Sequence, residues 1–198
     1  MTSRWLALGC LFGLFLCTGC DTVTVEHTFG DRVSPGELKK LEAVWVDQEN
    51  QVVQVRAVDD KLVLGVLTWN EDTRKFEAET TRLTATAIGD KRFLFMGETD
   101  ENDKPTRRLH FARYAVSKDG KTVHVHFANA KAFQREVEAK RLQGDVIKEQ
   151  RSVTVRLKTT ADDLKRFVEA SKPKDDDPES ELFFRKPTVT YRFLRGVD

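Results

Sequence analysis

His124-Val125-His126 sets two imidazoles on alternate positions of a β-branched segment. Alternate strand residues share a face, so the pair could supply two ligands to a tetrahedral metal ion. Two ligands do not complete a site. If Leu109 to Val116 pairs with Val123 to Phe127 across a two-residue turn at Asp119-Gly120, Arg113 joins the histidine face and its charge opposes a cation there. His110 then falls on the opposite face, with Tyr114 and Val123. The expectation is two solvated histidines, backed by a core face of Val123, Val125 and Phe127, and no metal.

Carboxylates recur in pairs or runs at Asp59-Asp60, Glu71-Asp72, Asp162-Asp163 and Asp175-Asp176-Asp177. These are the groups of general acid–base chemistry, yet each lies where Asp serves a turn, a loop or a helix start. The runs lack the glycine and closing glutamate of a calcium loop. The chain has no Gly-x-Ser-x-Gly, no phosphate-cradling glycine loop and no His-Glu-x-x-His. Arg107-Arg108 and Lys91-Arg92 read as solvated strand ends rather than an anion site. No catalytic residue and no cofactor are expected, and a hydrolase assembled across strands is the lesser alternative.

The three cysteines, Cys10, Cys17 and Cys20, all lie in the first twenty residues. There Arg4 precedes the apolar run Trp5 to Leu16, which falls short of the about 20 residues a membrane-spanning helix needs. A charged start, a short apolar middle and a small-residue end describe an export signal. Leu16-Cys17-Thr18-Gly19-Cys20 resembles the lipobox of bacterial lipoproteins, with Cys17 where that motif most often has Leu. The resemblance implies a signal peptide over 1–19 and diacylation of Cys20, so that the rest is held at a bacterial membrane, facing the periplasm or the exterior. Asp21, directly after the cysteine, resembles the inner-membrane retention signal of enteric-type bacteria. A domain so processed has no second thiol, which excludes an internal disulfide, a thiol nucleophile and a cysteine metal site.

The 198 residues carry 33 Lys and Arg against 32 Asp and Glu, and losing Arg4 with the leader would balance them. A neutral surface has no electrostatic reason to seek nucleic acid. After a lipidated cysteine and polar tether over 20–33, a single β-rich domain is expected over 34–198. Ser34-Pro35-Gly36-Glu37 is a capping-box start, opening a short helix through about Leu41. Alternating segments then read as strands at Ala43 to Asp47, Gln51 to Val58, Lys61 to Trp69, Phe76 to Ile88, Arg92 to Met96, Leu109 to Val116 and Val123 to Phe127. Short polar links make them an antiparallel meander. After Asn129 the spacing turns helical, with Phe133 and Val137 on one face, Leu142 near the end and Gly144 as the stop. Ser152 to Lys158 returns to alternation, Thr160 and Asp163 cap a second helix bearing Leu164, Phe167 and Val168, and Thr188 to Leu194 is a last strand.

The fold expected is mainly β: a curved antiparallel meander sheet or a lipocalin-like barrel, with two or three short helices over an open end or edge. The order of an N-terminal helix, a Trp-bearing first strand, a meander and a late helix before a final strand resembles lipocalin-type barrels. Ala43-Val44-Trp45 stands where that family has Gly-x-Trp, and the helix near Phe133 has no counterpart there. Aromatic residues supply the core, and in a loosely closed sheet Trp45, Trp69, Phe111, Tyr114 and Tyr191 would line an apolar cavity. The function expected is a lipid-anchored, non-catalytic envelope domain that binds a protein or surface partner; the alternative is a carrier of a small hydrophobic ligand.

Overall fold

Tight links between alternating segments dictate the architecture. The structure, a computed structural model, describes residues 21–70, 73–99, 104–171, 181–184 and 188–197. The leader, Cys20, the Glu71-Asp72 pair and the acidic run at 175–177 lie outside the described residues. β1 (Thr22–Val25) and β2 (Asp31–Arg32) precede α1 (Pro35–Leu38), which a 3-10 turn over Lys39–Leu41 prolongs. Seven strands follow: β3 (Ala43–Val46), β4 (Val52–Val58), β5 (Lys61–Asn70), β6 (Lys75–Ile88), β7 (Lys91–Thr99), β8 (Pro105–Val116) and β9 (Thr122–Phe127). Then come α2 (Ala130–Glu138), β10 (Gly144–Lys148), β11 (Val153–Leu157), α3 (Ala161–Ala170) and β12 (Val189–Arg195).

β3 to β9 form the expected meander, and β12 closes it by pairing with β9 on one edge and β3 on the other. The result is a closed barrel of eight antiparallel strands. Asn50, Asp59, Gly89 and Gly120 take positive φ in its turns, a conformation that Asn, Asp and Gly tolerate at low cost. At the barrel's end, Ser34 caps α1 by accepting the Glu37 amide, and Leu38 and Leu41 pack among the inward-facing side chains.

The meander branches at β8. Its later half pairs with β9 from Ala112 to Val116, whereas Leu109 and His110 pair with β1 on the same edge. β1 runs parallel to β11, and β10 pairs with β11, which extends the sheet past the barrel. Thr22 to Val25, expected as polar tether, is therefore a strand, and Val23, Val25, Phe29 and Val33 are all buried. The paired valines of β1 and β11 make that segment part of a core. Asp21 belongs to the same arrangement, accepting the Val153 amide at 2.9 Å.

Gly144 does not stop α2. The helix ends at Glu138, Lys140 turns the chain with φ 59°, and Gly144 opens β10, where a Cβ would stand 2.6 Å from the Arg156 carbonyl oxygen. α1 covers a barrel end as expected, but α2 and α3 pack on a sheet face.

Two cores result. Inside the barrel lie Trp45, Val53, Leu62, Leu64, Leu83, Tyr114 and Val125 among others. Outside its β6–β8 wall a second core joins Phe93, Phe95 and Phe111 to Phe133 of α2, Leu164 and Val168 of α3, and the valines of β1 and β11. Phe29 stands within it, its ring 5.3 Å from Phe93, 5.0 Å from Phe95 and 5.3 Å from Phe111.

Candidate functional site

Alternation along the strands sends one side chain in two toward the barrel axis, where a large apolar cluster gathers. It leaves a cavity of about 60 Å³, bordered by Leu41, Trp45, Leu83, Leu94, Tyr114 and Tyr191 among others. Trp45 is fixed by its indole N–H, which donates to the Leu41 carbonyl at 2.9 Å, and by an edge contact to Phe193 at 5.9 Å. Burial pushes the Tyr114 hydroxyl up to about 12, helped by Glu37 and opposed by Arg92. Burial, with Asp47 adding to it, likewise raises Tyr191. Both phenols stay neutral at physiological pH and keep the lining uncharged.

Of the five aromatic residues expected around a cavity, Trp45, Tyr114 and Tyr191 meet there. Phe111 does not: its position on β8 is odd relative to Tyr114, so it faces out into the second core. Trp69 pairs with Phe76 by its backbone, and its side chain lies outside the described residues. Leu94, one step from the outward Phe93 and Phe95, is a lining residue that strand parity alone could have found.

The volume decides what such an interior can hold. Pockets for drug-sized molecules occupy about 300 Å³ or more, and an interior of eight strands is just wide enough for side chains to fill. This barrel is mostly filled by its own core.

No family model, curated protein or solved structure matches this chain. The register of β8 and β9 is the one the turn at Asp119-Gly120 implies, with Arg113 opposite His126 and Ala115 opposite His124. The histidines are not both solvated. His126 is buried, and its Nδ1–H donates to the Phe184 carbonyl at 2.8 Å, while His124 Nδ1 lies 3.2 Å from the Thr190 hydroxyl. Segment 182–184 and β12 cover a face that sequence alone left open. Arg113 adds a contact over the Phe183 ring at 5.9 Å. Burial holds His126 below its ordinary range against the pull of the Phe184 carbonyl, and Arg113 lowers it further. Among the described residues no three His, Cys, Asp or Glu side chains converge to hold a metal ion.

The described carboxylate pairs have structural partners. Asp60 pairs with Arg32, and Asp163 accepts from the Thr160 hydroxyl at the start of α3. Lys91 and Arg92 are not simply solvated: Lys91 Nζ donates to the Val168 carbonyl at 3.1 Å, and Arg92 Nε to Glu37 at 2.6 Å.

One strand pair runs past its neighbours. β5 and β6 continue as a hairpin through four rungs, Leu67 with Ala78 to Asn70 with Lys75, where among the described residues neither β4 nor β7 pairs with them. This two-stranded arm extends beyond the rungs that β4 and β7 contribute. Leu67 on it is 65% exposed, and Val52 at the adjoining start of β4 is 47% exposed.

Proposed function

We propose that this chain is a lipid-anchored cell-envelope domain that binds a protein or surface partner and performs no chemistry of its own. The observation that carries the binding half is the β5–β6 arm. A strand edge that no further strand joins among the described residues can take up another chain, and exposed Leu67 and Val52 add apolar area beside it. The anchoring half is supported by the lipobox-like leader ending at Cys20. Because Asp21 and β1 are built into the sheet, an acylated Cys20 would hold the barrel close to the bilayer, on the periplasmic or outer side. Radiolabelled palmitate tests this half: it should enter the wild-type chain and be lost with Cys20→Ser. An unlabelled wild type in the soluble fraction would overturn it.

The uncharged cavity between Trp45, Tyr114 and Tyr191 favours the second reading, a carrier of a small hydrophobic ligand. At about 60 Å³ it would take only a slender apolar group without repacking. Native mass spectrometry of the chain from its own membrane decides: a bound hydrophobic mass supports the carrier, and none counts against it.

A further inference from the structure

The sheet extension carries a second cavity of about 150 Å³ between β1, β8, β10 and β11, lined by charged side chains and by Val25 and Leu157. Register builds it. Thr24 pairs with Arg156 on one side and His110 on the other, and Arg156 pairs with Asp145, so these side chains share the face opposite the second core. Glu26, Arg108 and Lys158 complete its polar wall.

The cations there are not equally satisfied. Lys158 Nζ holds Asp145 at 2.8 Å, and Arg108 lies 3.7 Å from Glu98. Glu26 stays exposed. Arg156 has its Nε shielded from solvent with no acceptor among the described residues. A buried guanidinium donor without an acceptor is costly, and an incoming anion removes that cost.

We propose that this cavity binds a small monocarboxylate, whose two oxygens accept from the Nε and Nη edge of Arg156. The planar fork of a guanidinium matches a carboxylate bidentately. Charge selects the single anion. With Lys158 paired to Asp145 and Arg108 to Glu98, Arg156 is the lining cation with no ion pair among the described residues, so one negative charge is neutralised there and a second would meet Glu26 and Asp145. Size allows it, since about 150 Å³ exceeds several times over the ~10–15 Å³ that one water needs on the same measure. Propionate, with five non-hydrogen atoms, is of that size.

The test is a titration of the full chain, 15N-labelled at arginine and held in detergent micelles, with sodium propionate, followed by the arginine Nε–H resonances. One resonance should shift and saturate, and Arg156→Lys should weaken that binding at least tenfold while leaving the amide spectrum intact. Methyl propionate, uncharged and nearly the same shape, should cause no saturable shift, a control that needs no variant. N-acetylglycine separates two sources of the same group: tighter binding than propionate assigns a peptide C-terminus, equal or weaker binding a free acid, and either supports the site. No saturable shift with propionate, an equal response to the ester, or tighter binding of inorganic phosphate would overturn it.

Discussion

Phe111 and Tyr114 stand three residues apart on β8 and serve opposite sides of the barrel wall, Phe111 the outer core and Tyr114 the interior. Odd spacing on a strand forces this separation. Phe111→Ala should therefore unpack the rings of Phe29, Phe133 and Phe183 at a cost of about 3–5 kcal/mol. Leu83→Ala, inside the barrel, should cost about 2–5 kcal/mol. Because the two sites belong to different clusters, denaturant unfolding of the double variant should give their sum within about 0.5 kcal/mol. A double variant far from that sum would show the wall is not the divide described here.

The only tyrosines of the chain are Tyr114 and Tyr191, and both are raised above the ordinary phenol value. An unfolded tyrosine ionises near 10. Their folded forms hold the proton longer, so stability is full below about pH 10 and is lost as pH rises through the folded values. Absorbance at 295 nm should reveal no phenolate in the native chain at pH 10.5 and abrupt ionisation on alkaline unfolding. Half-ionised tyrosine in native protein at pH 10 would contradict a closed interior.

His110 and His126 are both lowered by burial, so the unfolded chain binds more protons than the folded one as pH falls below about 6.5. Their contribution is complete above that value and lost below it. The denaturant midpoint should drop between pH 7.5 and pH 5.5, and His126→Gln should flatten that drop. The two shifts are opposed differently, by the Phe184 carbonyl at His126 and by the Glu98 carboxylate at His110.

Local rules made much of this fold legible. Alternation between Ala43 and Phe127 marked seven strands, and turn residues at Asp59, Gly89 and Gly120 joined them in the observed order. Caps at Ser34 and Thr160, and the change to helical spacing after Asn129, marked the three helices. What escaped depends on distant partners. Thr22 to Val25 is too short to announce itself as a strand, and only parallel pairing with β11, 132 residues away at Thr22 and Thr154, makes it one. The same distance hid the Arg156 cavity: the alternation of Val153, Val155 and Leu157 put Arg156 on the other face, but nothing local said that Thr24 and Arg108 would stand beside it. Phe111 was misplaced for a simpler reason. A core on each side of one wall makes both parities of β8 apolar, which removes the signal that tells inside from outside.

If the β5–β6 arm is the binding surface of a membrane-held domain, a partner must come within reach of Leu67. A photo-crosslinking amino acid introduced at Leu67 in the living cell tests it most directly, with exposed Lys131 on α2 as the comparison site. One discrete adduct, in the membrane fraction, is expected from position 67 and none from 131. No adduct at 67, or the same adducts from both positions, would contradict it.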